Sequence, residues 1–145
     1  SRRLAGSAYA DRRAECDAAE AEIGPLRDAT IGDLEGLADA VLRRRARHVI
    51  TENRRVLEFS DALAAGRIDE LGPLMAGSHA SLRDDFDVST PELDDLVANL
   101  TSTPGVIGAR LTGAGFGGCV VALAHYGNEL PGWHVTASDG ASVER

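Results

Sequence analysis

The hydrophobic period of this chain changes once, at Pro104-Gly105, and that switch restricts the fold more than any other feature. Before it, apolar residues recur at three- and four-residue steps. After it they come in short β-rich runs. Helices first and strands afterwards argue for an α+β domain, not for repeating βαβ units. With 145 residues, 43% of them hydrophobic, the chain suffices for one domain with a sizeable core and is too short for two.

The helical part reads as several segments. Tyr9, Cys16, Ala19 and Ile23 share a face that Gly24-Pro25 closes. Thr30 followed by Asp33 resembles a helix start, with Leu34, Leu37 and Val41 behind it. Leu42, Ala46, Val49, Ile50, Val56, Leu57, Leu63 and Ala64 then form one long stripe ending at Gly66. Arg43, Arg44, Arg45, Arg47, Arg54 and Arg55 lie on its other face, which reads as a solvated surface balanced by Asp39, Glu52 and Glu58. Near Asp69 another helix begins, turning Leu71, Leu74, Met75, Ser78 and Leu82 inward. Pro73 is tolerable there because it sits near the first turn. Ser89 is placed to cap the next helix with Glu92 reaching back, and Leu93, Leu96, Val97 and Leu100 give that helix a buried face.

Beyond the switch, Val106-Ile107 and Ala109 to Leu111 predict one strand. Cys119 to Leu123 predicts a second, apolar enough for burial on both faces, and His134 to Ala137 a third. Between the first two lies Gly113-Ala114-Gly115-Phe116-Gly117-Gly118. It fits G-x-G-x-x-G, but the dinucleotide fingerprint needs a helix next, and Cys-Val-Val-Ala-Leu favours a strand. Two readings stay open: a hairpin needing glycine at positive φ, or a loop kept bare so that its amides can hold an anion.

Composition removes several chemistries. Net charge is −8, which disfavours binding to a nucleic-acid backbone. All 15 basic residues are Arg, so no lysine is present for a P-loop, a Schiff base or a Ser–Lys dyad. Cys16 and Cys119 lack zinc-ligand spacing and read as small core residues, in keeping with a reducing cytoplasm. The longest apolar run is far shorter than the ~20 residues that cross a bilayer. No basic-then-apolar leader is expected, and a chain opening on Ser with a helix under way by Tyr9 suggests a piece of a longer protein. His79 near Ser81, Asp84, Asp85 and Asp87 could suggest a triad or a metal site, but the plainer reading is polar groups satisfied at a helix end. His48, His125 and His134 have no partners at ligand spacing.

The run GARLTGAGFGGCVVAL, Gly108 to Leu123, resembles the third conserved motif of galactokinases, members of the GHMP kinase superfamily. RARHVITENRRVLEF (Arg45 to Phe59), LMAGSHASLRDDFDVSTPELDDL (Leu74 to Leu96) and SAYADRRAEC (Ser7 to Cys16) are similar to the C-terminal half of that family, in order. The resemblance implies a GHMP-kinase C-terminal domain over residues 1–145, ferredoxin-like, with helices on a small, mostly antiparallel sheet. It implies a cytoplasmic, monomeric kinase that uses ATP and Mg2+ to phosphorylate galactose to galactose 1-phosphate, with no nucleic-acid or membrane partner. The sugar signature, the Gly/Ser phosphate loop, and the catalytic Asp and Arg of the family belong to an N-terminal domain, so no catalytic residue is assigned here and this piece alone is expected to be inactive. Gly113, Ala114, Gly115 and Phe116 are carried over as the loop facing phosphates and sugar, with Gly117 and Gly118 supporting it. Near residue 115 the main chain is expected to lie bare for a ligand. Asp84, Asp85 and the Ser89–Glu92 cap are carried over as structural landmarks. No metal ligand is assigned. Alternatives are another GHMP sugar kinase, such as one for N-acetylgalactosamine, or a non-catalytic galactokinase-like regulator. Relatives place a helix after the second strand. Here Ala124 runs directly into His125, so either the protein is shortened or, as an uncovered apolar sheet face would favour, residues are missing at that joint.

Overall fold

Asp39 starts the longest helix by accepting the amides of Val41 and Leu42 on one carboxylate oxygen, at 2.6 and 3.1 Å, which satisfies two of the spare donors of a helix start. In the computed structural model, which describes residues 2–136 with side chains from residue 8 onward, that helix is α2, Ala40–Ala64. It follows α1 (Arg2–Ile23) and a 3-10 turn (Ile31–Gly36). After it come α3 (Ile68–Asp84), α4 (Pro91–Thr101), β1 (Val106–Thr112) and β2 (Cys119–Ala124). The expected α+β order is present, as helices packed on an antiparallel pair. Among the described residues no helix is long and apolar enough to cross a membrane.

The helix starts differ in detail from the expected ones. Asp33 accepts both the amide and the hydroxyl of Thr30 at 2.7 Å, yet this box closes only the 3-10 turn. Fully buried Leu37 ends it, and its carbonyl accepts the Arg43 guanidinium. At α4 the cap is Thr90, not Ser89. The Thr90 hydroxyl accepts the Leu93 amide, while Ser89 donates to Asp94 instead.

The first half of α2 lies in a core of Ala19, Leu26, Leu34, Leu37, Ala46 and Ile50. Its second half does not follow the expected stripe into the interior. Val56 and Leu57 are more than 60% exposed and Leu63 is exposed too, because α1 and the 3-10 turn cover only the first half. The arginine face also departs from the solvated reading. Arg45 is buried, donating to Glu15 at 2.6 Å and to the Asp85 carbonyl at 2.6 Å, and Arg47 pairs with Asp85.

Helix α3 meets β1 backbone to backbone. A Cβ on Gly72 would stand 2.3 Å from the Ile107 carbonyl oxygen, and one on Gly108 would stand 3.0 Å from the Gly72 Cα. Side chains are missing there because the chain needs the room. A second core of Leu82, Val88, Leu93 and Leu111 lies where α3, α4 and β1 converge. Strands β1 and β2 pair with Thr112 opposite Cys119 and Arg110 opposite Val121, and the register shifts between Val106 and Gly108. The expectation that β2 is buried on both faces fails: Cys119 and Val121 are exposed. His134 to Thr136 form no strand, and Ala137 lies outside the described residues.

Candidate functional site

The six residues Gly113 to Gly118 join β1 to β2 and project from the end of the pair. Left-handed backbone runs through them, with φ of 80° at Gly113, 79° at Gly115, 53° at Phe116 and 90° at Gly117. Only glycine adopts such angles freely, which accounts for Gly113, Gly115 and Gly117, though not Gly118, without reference to a ligand. The loop is more than a tight hairpin, since a two-residue turn would need at most two such positions.

Its two sides differ. Gly115 is buried, and a Cβ there would lie 2.3 Å from the Val88 carbonyl oxygen and 2.7 Å from the Val88 Cβ. The Phe116 amide donates to that same carbonyl at 2.8 Å, and the half-buried Phe116 ring packs on the second core. The main chain at 115 is therefore bare toward its own α3–α4 connection, not toward solvent as expected. The open side belongs to Gly113, Ala114, Gly117 and Gly118, which are exposed. At Gly113 and Gly117 an added Cβ would meet nothing within 4 Å.

The triad or metal grouping that His79, Ser81 and the acids could suggest does not form, and these side chains are satisfied by structural partners, as the plainer reading expects. His79 is buried and turns to α4 and β1: its Nε2 is 3.2 Å from Asp94, and its Nδ1 accepts the Leu111 amide at 3.4 Å. Ser81 turns instead to His48, Oγ to Nδ1 at 2.9 Å, and to Asp85. His48 stacks on Phe86 with ring centroids 4.3 Å apart. Burial, then repulsion from Arg55 and Arg110, lowers its pKa to about 4, so it is neutral at physiological pH. The sequence reading missed this pair, because thirty-three residues separate its members and only the crossing of α2 over α3 joins them. Cys16 packs on the first core with its pKa raised to about 11, chiefly by burial, whereas Cys119 is exposed beside the loop and not in a core.

A cavity of about 430 Å3 lies away from the loop, between the exposed half of α2, α3 and β2. Val56, Phe59, Leu74 and Val121 form its apolar walls. Arg110 reaches it from β1, donating to Ser78 at 2.6 Å and lying 3.4 Å from Glu52. Among the described residues, no group of three His, Cys, Asp or Glu side chains is placed to hold a metal ion.

Residues 59–130 match the family of GHMP kinases, C terminal. The chain is 51% identical over 132 residues to the galactokinase of Roseiflexus sp. (strain RS-1), which covers 84% of this chain and 34% of that protein. It is 47% identical over 130 residues to the galactokinase of Exiguobacterium sibiricum, with 84% and 33% covered. With the galactokinase of Homo sapiens the identity is 42% over 159 residues, covering 97% of this chain and 41% of that protein. A crystal structure of Lactococcus lactis galactokinase complexed with galactose superposes with a TM-score of 0.77 at 38% identity, covering 81% of this chain and 33% of that one. The chain thus spans about a third of the length of the first two galactokinases and of the Lactococcus chain. The human alignment is 159 positions long but takes in only about 141 residues here, so roughly eighteen of its positions have no counterpart in this chain.

Proposed function

We propose, for a chain that belongs to the GHMP kinases through the C-terminal domain at residues 59–130, that it is the C-terminal part of a galactokinase. The observation that carries this is identity of 42–51% to galactokinases over 84% or more of the chain. In the whole enzyme the anomeric hydroxyl of α-D-galactose attacks the γ-phosphorus of ATP. The new O–P bond forms as the bond to the β-phosphate oxygen breaks, the hydroxyl proton leaves to a base, and ADP departs.

Such a transfer rests mainly on positioning and on stabilising the charge of the phosphoryl oxygens. This domain contributes the loop Gly113–Gly118. Its exposed side bears no bulky side chain, so phosphates held by an N-terminal lobe can approach the amides of Gly113, Ala114, Gly117 and Gly118. Gly115 and Phe116 act from behind, anchoring the loop on Val88. The described residues offer magnesium no cluster of donors, so its ligands would come from the nucleotide and the N-terminal domain. Catalytic Asp and Arg residues belong to that other domain, and the free thiols suit a cytoplasmic enzyme.

The same reading puts an internal gap at the joint Ala124–His125; the human alignment has roughly eighteen positions without a counterpart in this chain. Two features support placing it there: β2 leaves Val121 exposed, and the apolar cavity beside it is of a size a helix side would fill.

A chimera tests both readings. This chain replaces the C-terminal third of the Roseiflexus galactokinase, either as it stands or with the Roseiflexus residues restored between Ala124 and His125. ATP-dependent formation of galactose 1-phosphate by the restored chimera is the expected result. A folded restored chimera without turnover overturns the kinase reading. Equal stability and activity of the two chimeras overturns the gap.

A further inference from the structure

We infer that His79 is a positioning residue for the glycine loop, holding the strand that enters it and the connection that backs it through one carboxylate. The functional half of this inference rests on the role of the loop proposed above. The contacts form a closed path. Leu111, two residues before the loop, donates its amide to His79 Nδ1 at 3.4 Å. With Nδ1 accepting, the ring proton sits on Nε2, which faces Asp94 Oδ1 at 3.2 Å. That same oxygen accepts the Ser89 hydroxyl at 2.5 Å. Ser89 follows Val88, whose carbonyl accepts the Phe116 amide at 2.8 Å and blocks any Cβ at Gly115. Strand entry and loop tip are thus tied to one acid on α4.

The path works with one protonation state. A second proton on Nδ1 would set a donor against the Leu111 amide and open the tie at the strand. The groups facing the ring are Asp94 from α4, Asp84 and Arg83 from α3, and Arg110 from β1. Burial, the largest influence, holds the imidazole pKa below its usual value, with Arg83 and Arg110 acting the same way and Asp94 opposing. The neutral tautomer therefore prevails at pH 7, and acid would release the loop.

Glutamine can accept from Leu111 with its oxygen and donate to Asp94 with its nitrogen, without titrating. His79→Gln and His79→Phe are compared in the 145-residue chain by amide hydrogen exchange, and in the restored chimera by the KM for ATP against pH. Expected in the Phe variant are at least tenfold faster exchange at Leu111 and Phe116 and a raised KM for ATP at nearly unchanged kcat. The Gln variant keeps the slow exchange and the low KM, and loses the acid-side rise of KM that His79 produces. Unchanged exchange in His79→Phe, or an acid limb that persists in His79→Gln, overturns this inference whatever the loop binds. Faster exchange with an unaltered KM leaves the tie standing and overturns the proposed role of the loop.

Discussion

Adding one methyl group to Gly115 separates the two reasons this chain has for glycine. At φ of 79°, any L-residue there incurs roughly 1–2 kcal/mol of backbone strain. The same methyl would also stand 2.3 Å from the Val88 carbonyl oxygen, a main-chain atom fixed by the Phe116 amide and by the core beneath it. Relief requires the loop or the α3–α4 connection to move, at a cost typical of overpacking, about 1–3 kcal/mol. Gly115→Ala should therefore lose about 2–5 kcal/mol. Gly113→Ala provides the control, having nearly the same φ, 80°, with open space on the side of the new carbon. It should lose only about 1 kcal/mol, part of the strain being offset by a less flexible unfolded chain. For a domain of this size that corresponds to a Tm drop of about 6–20 °C for Gly115→Ala against about 3–4 °C for Gly113→Ala. Urea unfolding of both variants, followed by far-UV circular dichroism, measures the difference directly. Equal losses within about 0.5 kcal/mol would refute the claim that Val88 decides the residue at 115, leaving backbone angle as the sole constraint.

Three further outcomes are expected. His48 is neutral in the fold with its pKa near 4 and binds a proton at about 6.5 when unfolded, so stability falls as pH drops through that window, by roughly 1.4 kcal/mol per unit at most. His48→Phe should flatten that slope in urea titrations run from pH 7 to 4, and an unchanged slope sinks the assignment. Gly72→Ala should cost about 2–4 kcal/mol in the same assay, because α3 must lift off β1 to spare the Ile107 carbonyl; a loss below about 1 kcal/mol would mean the close approach is not held. Iodoacetamide followed by mass spectrometry should label Cys119 well before Cys16, whose thiol is half-buried and held protonated by a pKa near 11; the reverse order contradicts the packing described.

The local order of elements was written in the residues. The 3.6-residue period of α1 to α4, the acidic and hydroxyl caps, and the glycine break before two β-rich runs act over a few positions, so a linear reading finds them. Even there, choices between neighbours escaped it. Ser89 and Thr90 both carry a capping hydroxyl, and Asp94 settles the matter by taking the one on Ser89. The stripe on α2 likewise showed which residues share a face and not where the covering elements stop, so Val56, Leu57 and Leu63 were expected inside and lie outside.

By itself, then, the sequence determined the kind of fold, the place of the glycine loop and the likeness to the galactokinase C-terminal part, since each depends on residues adjacent or at a fixed short period. Tertiary structure alone decided which way the loop faces, which glycine is bare toward its own chain, and which partners His48, His79 and Arg45 take. Those outcomes depend on contacts between segments some thirty residues apart, where a side chain is committed by packing and by the need to satisfy buried polar groups, not by its neighbours in sequence.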